Sequence, residues 1–175
     1  MIAIFALLLA LAHAPATAPM LVDQNGHAFT LDSLRGTPLV VTFVSAHCTD
    51  ACPLVNAQFA DAARTIAARK LDARLLTITL DPQNDPPKLM SAMARRFDAD
   101  PRYWLVAGGR PADVNMVLHR FGVIAVLGKS GFREEHTTFV YVIDRDGRLV
   151  KTMLASSGLN GDVVDAVKGL QVAVR

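Results

Sequence analysis

Cysteine is scarce in this 175-residue chain: there are two, Cys48 and Cys52, and no third exists to complete a cysteine-rich zinc site. Basic runs are missing as well. Eighteen Lys+Arg against sixteen Asp+Glu leave a net charge of +2 with no clustered basic footprint, so no nucleic-acid partner is expected. Charged residues amount to only 19% and hydrophobic residues reach 51%, which excludes a disordered chain and fits one globular domain with a full core. No internal repeat occurs, and the Ala/Pro-rich residues 12 to 19 are the one low-complexity stretch. No apolar run is long enough to span a bilayer as a helix. The longest, residues 2 to 12, has the length of a signal peptide, although no Lys or Arg precedes Arg35. Small residues at Ala10 and Ala12 give a cleavage pattern. The organisation expected is therefore a signal peptide (or uncleaved anchor) over 1–12, a linker over 13–19 and one domain over 20–175. Export follows, to the periplasm or the outer face of the inner membrane, with membrane association only through the N-terminal segment. An oxidising compartment can hold a thiol pair as a disulfide.

Hydrophobic periodicity sets out the domain. "MLVDQNGHAFTL" reads as a short hairpin around Asn25 and Gly26. The continuous β-branched run "PLVVTFV" (38 to 44) is the mark of a strand buried on both faces. Val55, Phe59, Ala62 and Ile66 recur on one face of a helix, and "RLLTITL" (74 to 80) is the next strand. Asp85 can cap a helix opened by Pro86 that turns Leu89, Met93 and Phe97 inward. "YWLVA" (103 to 107) follows, then a helix from Pro111 with Val114, Val117, Leu118 and Phe121 inward. A hairpin comes next around Arg145, Asp146 and Gly147, and a last helix runs from about Asn160 with Val163, Val167, Leu170 and Val174 on one side. The order predicts an α/β fold: a central mixed sheet flanked by helices on both faces, with an N-terminal β-hairpin.

This order puts "HCTDACP" between the C-terminal end of a buried strand and the start of a helix, the crevice where open α/β sheets place their sites. A helix N-terminus favours thiolate and lowers a cysteine pKa. Cys52 shares the inward face of Val55 and Phe59, whereas Cys48 sits at the loop tip and is expected to be the exposed, attacking sulfur. At i, i+4 the two can reach the Cα separation of about 4.4–6.8 Å that a disulfide needs. A small structural disulfide, a redox couple and a metal site all remain open on this evidence. Among the histidines, His27 and His119 read as solvated and His13 lies beside the leader. His47 either tunes Cys48 or has no role. His136, at the edge of "TTFVYVID", is either a satisfied polar residue at a strand end or a third ligand for a metal held by the thiolates.

"HCTDACP", "TLDPQNDPP", "RYWLVAGG" and "EEHTTFVYVIDRDGRLV" together, in order and spacing, resemble the Sco/SenC family of copper-binding proteins from about residue 20 to the end. The resemblance implies a thioredoxin-like fold and a role in assembling the copper centre of cytochrome c oxidase. A copper-accepting oxidase subunit is the partner it implies. Carried over residue by residue, it makes Cys48, Cys52 and His136 the copper ligands and Asp81 the acidic neighbour of the site, although Asp81 before Pro82 reads equally as a turn residue. Thr49 stands where the family commonly has proline. The segment between Phe121 and His136 is short, which implies a reduced partner-facing hairpin.

The chemistry of the donors agrees. Two thiolates and an imidazole form a soft set suited to three-coordinate Cu(I) and still able to bind Cu(II), and zinc would want a fourth ligand. The same sulfurs can cycle between disulfide and metal-bound dithiolate, so oxidation would switch copper binding off. The competing expectation is a periplasmic thiol–disulfide oxidoreductase that uses Cys48 and Cys52 on a dedicated partner's cysteines. Against a general reductase, no proline follows Pro111, and His136 and Thr137 occupy the place where thioredoxin carries its cis-proline.

Overall fold

The computed structural model describes residues 18–49, 51–136 and 139–172, the side chains of residues 134–136 and 172 excepted. The expected leader over 1–12 and the linker as far as residue 17 lie outside the described residues, as do Thr137 and Val174. None of the described helices is long and apolar enough to cross a membrane.

Two short strands, β1 (Leu21–Val22) and β2 (Ala28–Phe29), form the N-terminal hairpin. Its turn is tied by Asp23, whose Oδ1 accepts the amides of Asn25 and His27, and Gly26 takes a φ of +86° that side chains resist. The buried run becomes β3 (Leu39–Val44), which pairs in parallel with β4 (Arg74–Thr79), as β4 does with β5 (Trp104–Gly109). Parallel neighbours need crossovers, and α1 (Ala51–Ala68) and α2 (Pro87–Arg96) supply them. After α3 (Pro111–Arg120) come β6 (Ala125–Leu127), β7 (Arg133–His136), β8 (Phe139–Ile143), β9 (Leu149–Leu154) and α4 (Leu159–Val172). The seven-stranded sheet runs β2-β1-β5-β4-β3-β8-β9, with β8 antiparallel to β3 and β9 antiparallel to β8 at the edge.

Each face of that sheet carries its own core. On one, Phe59, Ile66, Met90, Trp104 and Val163 join α1, α2 and α4 to the strands. On the other, Val41, Phe43, Ile78, Val114 and Leu118 join α3 and the turn after β2. The α/β sheet flanked on both faces is therefore as the sequence predicts, with a thioredoxin-like arrangement.

Two expectations at the element scale are corrected. Helix α2 starts at Pro87, with Pro86 as its uncapped N-terminal residue, and Asp85 makes no cap. Its carboxylate accepts instead from the Ala46 amide and the Thr79 hydroxyl. The fully buried residues of α2 are Met90 and Ala94, while Leu89, Met93 and Phe97 are half-buried along one side. The short segment between Phe121 and His136 carries two strands. It forms the separate β6–β7 hairpin, closed through Gly131 at φ +83°.

Candidate metal centre

The chain leaves β3 through Ser45 and enters α1 at Ala51, so the motif sits at the C-terminal edge of the central strands, beside the loop after β4. Ser45 organises the turn: its carbonyl accepts the Cys48 amide at 3.2 Å, and its Oγ accepts the His47 amide at 3.2 Å. Cys48 is half-buried before the helix, and Cys52 lies in the first turn of α1 at 2% exposure. Both are free thiols. The Cys52 amide reaches the Cys48 Sγ at 3.4 Å, which aims the first sulfur back over the helix N-terminus. This is the expected division into an accessible and an inward sulfur.

The expected lowering of the cysteine pKa fails at Cys52. Burial pushes its thiol well above the ordinary range, and the neighbouring Cys48 adds to the effect. A buried sulfur is poorly solvated as an anion, and the helix N-terminus does not offset that cost.

Behind the cysteine loop lies Asp85, with a fully buried side chain. Its Oδ2 accepts from the Thr79 hydroxyl at 2.7 Å and from the Ala46 amide at 3.0 Å, which pins the loop to β4. Its Oδ1 has no hydrogen-bond partner and lies 3.8 Å from His47 Nε2. Burial holds the Asp85 carboxyl above its usual range, with the Thr79 and Ala46 bonds opposing the shift. His47 extends past Asp85 to place Nε2 3.2 Å from the Asn84 carbonyl and stacks on Phe132 with ring centroids 4.0 Å apart.

Asp81 is buried and serves the β6–β7 hairpin. Its Oδ2 accepts from Asn84 Nδ2 at 2.8 Å and from the Arg133 amide at 3.0 Å, while Arg133 Nη1 donates to the Leu80 carbonyl at 2.8 Å. It is thus more than a turn residue before Pro82. The contacts of His47, Asn84, Asp81 and Arg133 draw the base of the hairpin to the cysteine loop. His136 ends β7 opposite Ala125, so it belongs to the small sheet and not to the edge of the central strand on which the sequence placed it. Its side chain lies outside the described residues. The described side chains alone bring together no group of three or more Cys, His, Asp or Glu able to hold a metal. His27 is on the N-terminal hairpin, beside Asp23, and His119 is on the exposed side of α3.

Sequence reasoning missed Asp85, Asn84 and Phe132 as parts of this assembly. Two aspartates four apart in "DPQND" are the signal that could have found Asp85, since a loop at the sheet mouth seldom buries two acids without work for both. Phe132 gave no periodic signal.

Residues 16–170 match the model of the SCO1/SenC family. The copper-bound structure of ScoI from Bradyrhizobium japonicum superimposes with a TM-score of 0.74 at 29% identity, covering 86% of this chain and 96% of that one. BsSco, described as a member of the Sco family of cytochrome c oxidase assembly proteins with a disulfide switch, gives 0.73 at 22% identity, over 86% and 90%. An SCO2-like protein of Rickettsia prowazekii is 28% identical over 136 residues, 75% of this chain, and the chain spans 65% of that relative's length.

Proposed function

The chain belongs to the SCO1/SenC family, and on that footing we propose that it is a copper metallochaperone, with copper as cargo held by Cys48, Cys52 and His136. The observation that carries this reading is the paired sulfur geometry. Cys48 is accessible, Cys52 is inward, and the amide-to-sulfur contact of 3.4 Å sets both at the head of α1 beside the hairpin that bears His136. Soft thiolates in a partly apolar site suit Cu(I), and the cavity-side position of Cys48 suits a sulfur that must hand its metal on. Asp81 and His47 act from beside the ligands: Asp81 fixes the hairpin, and His47 links the cysteine loop to it. The copper-bound Bradyrhizobium relative supports the choice of cargo, and the family supports a cytochrome c oxidase subunit as acceptor. Delivery there requires export, through a leader over residues 1–12 and a linker to the domain that starts near residue 20.

A second reading has its own support. An accessible cysteine four residues before a buried one with a raised pKa is also the asymmetry of a thiol–disulfide exchanger acting on a dedicated partner. Cu(I) titration of the reduced protein against a competing chelator separates the two. One tightly bound copper per chain is expected. His136→Ala should lose affinity by more than the roughly 10–100-fold typical of groups that merely support a ligand. His47→Ala should change it modestly and His119→Ala not at all. Parent-like affinity in His136→Ala would remove the proposed ligand set.

A further inference from the structure

A cleft of about 200 Å³ opens beside the two sulfurs, between the start of α1 and the half-buried side of α2. Cys48, Cys52 and Asn56 line it from α1 and its loop, and Leu89, Met93 and Phe97 from α2. These are the α2 residues that the sequence pattern turned inward and the fold leaves half-buried. Arg96 stands on the rim, over the Phe97 ring at 5.6 Å, and among the described residues it has no carboxylate partner. The whole of α2, "PKLMSAMARR", carries Lys88, Arg95 and Arg96 and no acid, and the first half of α1 has no charge. In the floor, Asn56 is buried, its Nδ2 donating to the Met93 sulfur at 3.2 Å and its Oδ1 without a partner.

We propose that this cleft docks an extended segment of the partner protein next to the partner's own reactive sulfur or copper-binding residue, with one apolar side chain between Leu89, Met93 and Phe97 and a carboxylate on Arg96. The proposal rests on the copper- or thiol-transfer reading and names the chemistry of the acceptor for that site. Charge decides the occupant: among the described residues lining the cleft Arg96 alone is charged, so an acidic segment is favoured and a basic one repelled. Asn56 adds a hydrogen-bonding need. Its amide is held by a single weak N–H···S contact, so a modest turn offers the carbonyl to a main-chain N–H of the occupant and relieves an unpaired acceptor. Met93 is the wall best able to adjust, because its unbranched thioether chain repacks at little cost.

Reduced, metal-free protein can be reacted with two peptides activated as pyridyl disulfides, one with Leu-Glu and one with Leu-Lys after the cysteine, and with dithiodipyridine as a small neutral reference. In each reaction the Cys48 thiolate attacks the disulfide. One S–S bond forms to Cys48, another breaks, and the pyridinethiolate leaves, so the probe is the oxidant and the released chromophore gives the rate. Divided by the reference rate, the Leu-Glu peptide should exceed the Leu-Lys peptide by about three- to fivefold at low salt, and the gap should narrow as salt rises. Arg96→Glu, an exposed change, should erase or invert that preference. Asn56→Leu should lower the normalised rate of both peptides by up to about tenfold. Equal normalised rates for the two peptides, or a preference that survives Arg96→Glu, overturn the proposal. Cu(I) titration of the parent is scored separately, so failure of the copper reading and failure of the docking reading leave different results.

Discussion

At the scale of residues, the site depends on two aspartates that do different work. Asp81 secures the hairpin base and Asp85 secures the cysteine loop. Asp85 sits buried with one oxygen unpartnered, so its charge is costly. The sign follows from linkage. A carboxyl whose folded pKa is raised binds more protons in the native state than in the unfolded chain. Stability therefore falls as pH rises from the unfolded value, about 3.9, through the raised folded value, and is then level. Asp85→Asn keeps an oxygen for the Thr79 hydroxyl and the Ala46 amide and removes the charge. Its stability relative to the parent should improve as pH goes from about 4 to 7, and urea denaturation at several pH values measures it. A difference that stays flat, or runs the other way, would mean that Asp85 is not held above its ordinary range.

At the scale of elements, α1 was legible because Val55, Phe59, Ala62 and Ile66 leave one register for the buried stripe, and each of them is buried. Strand β3 was legible because its apolar run is short and β-branched, which favours a strand over a buried helix. Helix α2 was not. Leu89, Met93 and Phe97 make one apolar row and Met90 with Ala94 another, and periodicity cannot choose between rows one residue apart. The sheet chooses, by burying Met90 fully in the core and leaving Met93 half-buried between that core and the cleft. Met90→Ala should thus cost about 2–5 kcal/mol, and Met93→Ala clearly less, in chemical denaturation. The reverse ranking would restore the register read from sequence. The strands of hairpin β6–β7 were not legible for another reason. "AVL" and "REEH" are too short for a strand pattern, and their pairing depends on Asp81, some fifty residues away in sequence. The cysteine motif was legible in place and in its inner and outer sulfurs, because both follow from the helix register. The pKa of Cys52 was not, since burial from β3, α1 and α2 outweighs the local helix end.

At the scale of the whole molecule, the proposed copper site would make copper, redox state and stability one linked equilibrium. Cu(I) held as proposed by the native thiolates and not by the unfolded chain would add RT ln(1 + [L]/Kd), about 4 kcal/mol at a thousandfold excess over Kd, and less to the extent that unfolded thiols also bind. Oxidation takes two electrons and two protons from Cys48 and Cys52 and leaves a disulfide with no thiolate for the metal. That disulfide closes a loop of only a few residues, so it removes little chain entropy from the unfolded state and adds little stability of its own. The reduced protein should therefore gain several degrees or more in melting temperature with Cu(I), and the oxidised protein should gain almost nothing with or without it. Thiol labelling of protein isolated under air should find no free cysteine until reductant is added, and the copper-dependent shift should return with the thiols. Two labelled thiols in the air-isolated sample would deny the disulfide. An equal copper shift in the oxidised protein would place the metal away from Cys48 and Cys52.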